Sequence, residues 1–171
     1  MTLSQGFFAY FAGMITILSL LVVTRKNPVH SVLWMLVMFL HIAGLYLLLN
    51  AEFLAAIQII VYAGAILVLF LFVIMLLNLR GEETEKRFQK QWPFGLGAAA
   101  ALGVFLVLIT GNITVLPPPG PYTVEAIRSE GSIMTIGKVL YTDFLMPFEI
   151  ASLILLVAII GAVVLAKKRL E

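Results

Sequence analysis

Residues 52–78 read EFLAAIQIIVYAGAILVLFLFVIMLLN, and this stretch decides the fold. It is predominantly apolar and exceeds the roughly 20 residues that a helix needs to cross a bilayer. Near its middle it carries Gln58, Tyr62 and Gly64, set among alanines. A lipid-facing helix gains nothing from an amide and a phenol at that depth. The pattern therefore predicts a membrane span that packs against protein and can bend.

The whole chain has the composition of an integral membrane protein. Of its 171 residues, 62% are hydrophobic and 12% are charged, and the mean hydropathy is +1.10. Soluble domains are about 45–50% apolar and about 25% charged, so little sequence is left for a soluble domain. The absence of cysteine excludes disulfides, thiolate metal sites and cysteine-ligated iron–sulfur clusters on this chain. The net charge of +2 is too small to indicate nucleic-acid binding.

Five segments reach the length of a membrane span, so we predict an all-α protein with a single membrane domain, 1–171. The predicted spans are approximately 3–23, 29–49, 53–77, 94–116 and 145–166, and the longer outer loop is 117–143. No basic segment precedes the first apolar run, as it would in a secretory signal peptide, so we expect the first span to be retained. Within the outer loop, SIMTIGKVLYTDF is predicted to form a short amphipathic stretch at the membrane interface.

The basic residues predict the orientation of the chain. Of the 11 Lys and Arg residues, nine fall in the 24–28 loop, the 79–93 loop and the C-terminal segment, and two fall on the other side. Because cytoplasmic loops carry the excess of Lys and Arg, we predict an N-terminus outside and a C-terminus in the cytoplasm. The mixed charges of 79–93 indicate a solvated connector at the cytoplasmic surface.

The third span carries the polar groups most able to support a function. Gln58 and Tyr62 are four residues apart, so on an α-helix they share one face and could hold water or a neighbouring side chain. The structural alternative is a hydrogen bond between helices that only stabilises packing. Gly64 and its flanking alanines leave the backbone accessible. A helix over 53–77 would rise about 37 Å against about 30 Å of hydrocarbon, an excess that tilt or a π-bulge could absorb.

Other candidate groups are few. No phosphate-binding loop, nucleophile elbow or metal-ligand spacing occurs, so no catalytic, cofactor-binding or metal-binding residue is predicted. Glu149 is the one acid inside a span, and it is either a functional group or an interfacial carboxylate at a helix start. His41 is interpreted as a hydrogen-bonded packing residue and not as a haem ligand, because a lone histidine leaves a six-coordinate haem without its second ligand.

Small residues at four-residue spacing indicate close helix packing in the last two spans, because they let backbones approach. They are Gly95, Ala99 and Gly103 in the fourth span and Ala158, Ala162 and Ala166 in the fifth. We therefore expect one face of each of these spans to contact another helix.

Three segments, in order, resemble one protein family. AEFLAAIQIIVYAGAILVLFLFVIMLLN is similar to the third transmembrane helix of subunit J of respiratory complex I, the proton-pumping NADH:quinone oxidoreductase, whose mitochondrial counterpart is subunit 6. NPVHSVLW at 27–34 resembles the family's start of span two, and FEIASLILLVAIIGAVVLA at 148–166 resembles its last span. The resemblance covers most of 1–80 and 136–166, and elsewhere it extends only to hydropathy.

The resemblance implies a non-redox subunit of a proton-translocating enzyme of the respiratory chain. FMN, the iron–sulfur clusters, NADH and quinone then belong to other subunits. The implied neighbours are membrane subunits of the H, A, K and N types, in a bacterial inner membrane or its organellar equivalent. The third helix resembles a gate, in which a π-bulge around Val61, Tyr62, Ala63 and Gly64 forms or relaxes. That change opens or closes a hydrated link between the quinone site and the pumping subunits.

By the same resemblance, the candidate proton-path and gating residues are Gln58, Tyr62, Gly64 and Glu149. Some relatives have a glutamate where this chain has Gln58, which cannot titrate, so no direct proton relay is expected there. The alternatives are a homologous subunit of a ferredoxin- or hydrogenase-linked complex and a small autonomous transporter. Transporters commonly carry internal repeats and ionisable groups near mid-membrane, and the sequence shows no such repeat.

Overall fold

The computed structural model describes residues 2–77, 92–112 and 120–167, and all regular elements in these ranges are helices. In chain order they are α1 (Leu3–Thr24), α2 (Pro28–Leu48), α3 (Glu52–Leu76), α4 (Trp92–Asn112), α5 (Val124–Glu130), α6 (Ser132–Tyr141) and α7 (Leu145–Ala166). Five of them, α1 to α4 and α7, are long and apolar enough to cross a membrane. The predicted fold class, all-α with five transmembrane helices, is confirmed.

The predicted span bounds agree with the structure to within one residue for α1, α2, α3 and α7. The fourth span begins earlier than predicted, at Trp92, because Pro93 is well tolerated in the first turn of a helix. Its predicted end at 116 lies outside the described residues, as does most of the predicted 79–93 connector.

The turns between the first three helices follow from their sequences. Asn27 is extended, with φ −83° and ψ 117°, because Pro28 disfavours a helical residue before it. The Asn27 side chain then caps α2 by accepting a hydrogen bond from the Val29 backbone N–H at 2.9 Å. Between α2 and α3 the chain reverses at Asn50, whose φ of 59° is a left-handed conformation that Asn tolerates better than most residues.

The described helices fall into two compact units, 1–120 and 121–171. In the first unit, α2 packs against both α1 and α3. The buried apolar side chains of this three-helix cluster are Leu18, Val32, Ala43, Ala55, Ala63 and Leu67. In contrast, α4 exposes all of its described side chains, so the buried residues that the structure describes in the first unit come from α1, α2 and α3.

The interface between α1 and α2 is close and aromatic. A Cβ atom added at Gly44 would lie only 2.6 Å from Cε1 of Phe11, so the ring occupies the space that the glycine leaves. The Phe11 ring also meets His41 edge-on, with ring centroids 6.2 Å apart. Nδ1–H of His41 donates to the Val37 carbonyl oxygen at 2.8 Å. His41 therefore hydrogen-bonds within its own helix and packs against Phe11, as its interpretation as a packing residue predicts.

The second unit contains two short helices before α7. The predicted amphipathic stretch is helical over Ser132–Tyr141, whereas α5 was not predicted. The hydroxyl of Thr123 caps α5 by accepting from the Ala126 backbone N–H at 3.3 Å, and Gly131, with φ 86°, ends it. An exposed ion pair joins α5 to α6, with Lys138 Nζ 3.0 Å from Glu130 Oε1.

Candidate functional site

The third span is not a uniform α-helix. Residues Gln58–Ile66 are π-helical, between α-helical turns at Glu52–Ile57 and Leu67–Leu76. At the end of this segment the Leu67 N–H donates to the Tyr62 carbonyl, five residues back, which is the hydrogen bond of a π-helix. The bulge region expected from the family resemblance, 61–64, lies inside this π segment.

The buried positions of α3 show what the π segment does to packing. They are Ala55, Gln58, Ala63 and Leu67, at steps of three, five and four residues. Steps of three and four keep an α-helix on one face, and a step of five fits a π-turn. Both ends of α3 pack against α2, and so does the π segment. The π-turn therefore keeps one continuous face of α3 on α2 while absorbing an additional residue.

Gln58 is the one polar side chain on this buried face, with an exposed fraction of 6%. Its amide can donate and accept hydrogen bonds but cannot titrate. Burying such an amide without a partner is costly, so it needs water or a polar group beside it. Among the described residues, no side-chain nitrogen or oxygen is both fully enclosed and without a partner. The position of Gln58 therefore suits hydrogen bonding at the α2–α3 interface more than proton transfer.

Tyr62 does not share the buried face of Gln58. It is 46% exposed, whereas Ala63 is 6% exposed and stands in line with Gln58. The shared face predicted for Gln58 and Tyr62 assumed α-helical spacing, whereas the residue buried in line with Gln58 is Ala63, one position later. Tyr62 instead lies at the edge of the α2 contact, where its ring meets Phe39 edge-on with centroids 6.0 Å apart.

Sequence reasoning missed Phe39 as the partner of Tyr62. Phe39 lies within α2, in an apolar run that also contains Met38 and Leu40. Nothing in that run distinguishes one large side chain from the next. Which of them meets Tyr62 depends on how the two helices are rotated about their axes, and single-helix periodicity does not contain that information.

Gly64 sits where the π backbone is crowded. A Cβ atom at this position would lie 3.3 Å from the carbonyl oxygen of Ile59, five residues earlier. Beyond the backbone of the adjacent turn, no other atom of the described residues would lie within 4 Å of such a Cβ. Gly64 therefore relieves crowding within its own segment, and no described side chain of this chain fills the space beside it.

Glu149 stands apart from the other candidate residues. It is exposed and belongs to α7 in the second compact unit, whereas Gln58, Tyr62 and Gly64 share one segment of the first. The helix begins at Leu145, and its N-cap residue Phe144 makes no side-chain capping bond. Glu149 is therefore in the second turn and does not cap the helix start, which weakens the structural alternative for it. Within the described ranges, no three His, Asp or Glu residues gather to form a metal site.

These features define a multi-pass helical membrane protein whose π-helical third span packs on its second. The chain matches the family described as NADH-ubiquinone/plastoquinone oxidoreductase chain 6 over residues 18–165. It is 43% identical to "NADH-quinone oxidoreductase subunit J" of Rickettsia felis, over 96% of this chain and 81% of that protein. It is also 43% identical to "NAD(P)H-quinone oxidoreductase chain 6" of Leptolyngbya boryana, over 98% and 84%. Identity to "NADH-ubiquinone oxidoreductase chain 6" of Marchantia polymorpha is 41%, over 92% and 84%.

The chain therefore belongs to the chain 6, or subunit J, family of NADH-quinone oxidoreductase, and it is a membrane subunit of that enzyme. The matched residues include α2, α3 and nearly all of α7. The family resemblance inferred from the sequence is confirmed. A related ferredoxin- or hydrogenase-linked complex is not favoured, because the relatives are named as NADH- or NAD(P)H-quinone oxidoreductase subunits.

Proposed function

We propose that α3 is a conformational gate that couples quinone reduction to proton translocation in the assembled enzyme. The observation that carries this proposal is the step of five residues between the buried positions Gln58 and Ala63. A π-turn and an α-turn are two discrete arrangements of the same chain, and a gate requires two such states. Redox energy released at the quinone could bias one state over the other if each makes different contacts.

The two states would place different side chains against α2. Relaxation of the π-turn to an α-helix changes the register by one residue, and one residue of α-helix corresponds to a rotation of about 100°. With the N-terminal end of α3 fixed by Ala55 and Gln58, Tyr62 would then replace Ala63 on the buried face. A phenol would exchange with a methyl group next to the Gln58 amide. That exchange would break the Phe39–Tyr62 contact. It would also change the polarity and the side-chain volume beside Gln58 at the interface of α2 and α3.

In this proposal the named residues have separate roles. Gln58 offers hydrogen bonds to water at the interface and transfers no proton by titration. Tyr62 is the moving phenol, and Gly64 lowers the barrier to reshaping the backbone. Val61 is 41% exposed and is carried along by the rotation. Glu149 is a candidate proton-path group, since an ionisable residue within a span commonly faces protein or water.

The wider role follows from the same family. We infer that this chain holds no redox centre and that FMN, iron–sulfur clusters, NADH and quinone are bound by other subunits of a proton-translocating enzyme. The sequence supports this, because it contains no cysteine for cluster ligation. Its neighbours would be membrane subunits of the H, A, K and N types. The distribution of Lys and Arg supports an N-terminus outside and a C-terminus in the cytoplasm of a bacterial inner membrane, or the organellar equivalent.

Replacement of Gly64 tests the gate. In Gly64→Val the new Cβ would lie 3.3 Å from the Ile59 carbonyl oxygen, and its two methyl groups would stiffen the segment. We expect proton pumping linked to quinone reduction to fall several-fold in the assembled enzyme. NADH oxidation by a water-soluble artificial acceptor should stay at the wild-type rate, because that reaction bypasses the membrane subunits.

The matched control is Ala65→Val, which adds the same methyl groups to a neighbouring exposed residue that already has a Cβ. It should leave both activities close to wild type. Equal loss of quinone-linked and artificial-acceptor activity in Gly64→Val, with the enzyme fully assembled, would contradict the proposed gate.

A further inference from the structure

A half-open groove lies at one end of the three-helix cluster. Its volume is about 280 Å³, and it is lined by the end of α1, the α1–α2 turn, the start of α2 and the last turns of α3. Two kinds of side chain line it. Arg25 and Lys26 form its basic end, and Met35, Phe70 and Ile74 contribute an apolar wall. We call this feature the basic groove.

The basic end of the groove carries exposed positive charge. Arg25 and Lys26 are both exposed, and among the described residues neither of them is joined to an acidic side chain in an ion pair. The Arg25 guanidinium carbon lies 5.6 Å from the centre of the Trp34 ring, a cation–π contact that holds the charge beside the helices. The hydroxyl of Ser31, also in the lining, donates to the Val22 carbonyl oxygen. The polar groups left for a ligand are therefore cationic.

The depth of the groove distinguishes a lipid from a soluble anion. Arg25 directly follows the last residue of α1, whereas Met35 lies seven residues into α2. At a rise of 1.5 Å per residue, the groove therefore reaches about 10 Å below the charged turn. Free phosphate would use only the basic end. A phospholipid would place its phosphate on the cations and its upper acyl chain along Met35, Phe70 and Ile74.

We propose that the basic groove is a binding site for an anionic phospholipid. Its phosphate would contact Arg25 and Lys26, and one acyl chain would lie against the apolar wall. Basic clusters next to a membrane span attract anionic lipids electrostatically. The site is separate from the π segment, and the proposal does not depend on the proposed gate.

The test uses the complete enzyme in phosphatidylcholine nanodiscs. A photoactivatable phosphatidylglycerol with the reactive group on its acyl chain is added, and a phosphatidylcholine probe of the same chain structure serves as the comparison. Labelled peptides are mapped by mass spectrometry. We expect phosphatidylglycerol to label the groove segments 22–35 and 70–74 several-fold more than phosphatidylcholine does. Inorganic phosphate at millimolar concentration should not compete.

Two comparisons of variants test whether the groove residues bind the lipid. Arg25→Gln with Lys26→Gln should weaken the apparent affinity for the phosphatidylglycerol probe by about 30-fold, or about fivefold for each basic residue. The control Lys167→Gln removes a basic residue outside the groove and should have no effect. Ile74→Trp should fill the apolar part and reduce labelling. Its control, Leu76→Trp, places the same side chain outside the groove lining, at a position that is 82% exposed. Leu76→Trp should leave the labelling of the groove unchanged.

The outcomes that would overturn the proposal are distinct. Equal labelling by the two probes would show that charge does not select the lipid. Full competition by inorganic phosphate would indicate a simple anion site, and cross-linking of the groove to another polypeptide would indicate a protein partner. Assembly of each variant is checked by migration of the intact enzyme on a native gel. If the double variant does not assemble, the comparison of the two probes on the unaltered enzyme still tests whether the groove selects an anionic phospholipid.

Discussion

The first three helices and the last membrane-spanning helix are all strongly apolar, yet they differ in how many of their side chains are buried. Helices α1, α2 and α3 bury side chains against one another, including Leu18 and Val32, each 2% exposed. In α7, only Phe148 and Gly161 are even partly covered. Apolar composition therefore predicts membrane insertion for both regions but does not predict which helices bury side chains within their own unit.

The difference agrees with the role of the chain as one subunit of a larger enzyme. The small residues Gly95 and Gly103 of α4 meet no atom within 4 Å of an added Cβ. Ala158, Ala162 and Ala166 of α7 are likewise exposed. The helix contacts expected on these faces are not made by the described residues of this chain. Within each unit, these faces therefore have no helix partner among the described residues.

The largest predicted contrast in stability is between equivalent truncations in the two regions. Leu18→Ala should destabilise the chain by about 2–3 kcal/mol, because it leaves a cavity between packed helices. Leu155→Ala in α7, where the leucine is 63% exposed, should cost less than about 0.5 kcal/mol. Titration of the reconstituted chain with a denaturing detergent measures both. Similar losses for the two variants would remove the distinction between the regions.

A second prediction concerns the close contact of α1 and α2. Gly44→Leu should destabilise the cluster by about 1–2 kcal/mol, because the new side chain would have to displace the Phe11 ring. Gly13→Leu adds the same side chain to α1 where an added Cβ meets nothing within 4 Å, so it should be nearly neutral. The same detergent titration compares them. A neutral Gly44→Leu would show that α1 and α2 pack less closely than described.

The smallest predicted effect lies in the second unit. The ion pair of Lys138 with Glu130 is exposed on both sides, at 60% and 46%. Lys138→Met should therefore cost less than about 1 kcal/mol, and the cost should vanish at high salt. Helix content of the chain, followed during thermal denaturation at two salt concentrations, measures the effect. A larger, salt-independent loss would mean that the methylene groups of Lys138 pack against α5 or α6.

Much of the fold was predictable from the sequence. Span lengths, the Asn27–Pro28 boundary and the unusual polarity of α3 are local signals that one helix carries by itself. Helix α5 was missed because it has only seven residues, although Thr123 before it and Gly131 after it are recognisable helix-end residues. The partner of Tyr62 and the exposure of α7 depend on neighbouring helices, and no local pattern specifies them.

The candidate site was predicted in part. Gln58, Tyr62 and Gly64 do share one segment, because they are close in sequence. They differ in burial, because the π-turn places Ala63, five residues after Gln58, on the buried face and leaves Tyr62 at the edge of the contact with α2. The step from Gln58 to Ala63 also gives the proposed gate its two possible registers.

The central claim, that α3 changes register during turnover, can be tested with single cysteines, since the chain has none of its own. Leu67 is 3% exposed and Val68 is 44% exposed at the end of the π segment. In the resting enzyme, a thiol introduced by Leu67→Cys should react slowly with a membrane-permeant maleimide, and one from Val68→Cys should react faster. During NADH-driven quinone reduction the Leu67→Cys rate should rise relative to the Val68→Cys rate, because the helix rotates. Identical rates at rest and during turnover, in assembled and active enzyme, would contradict the gate.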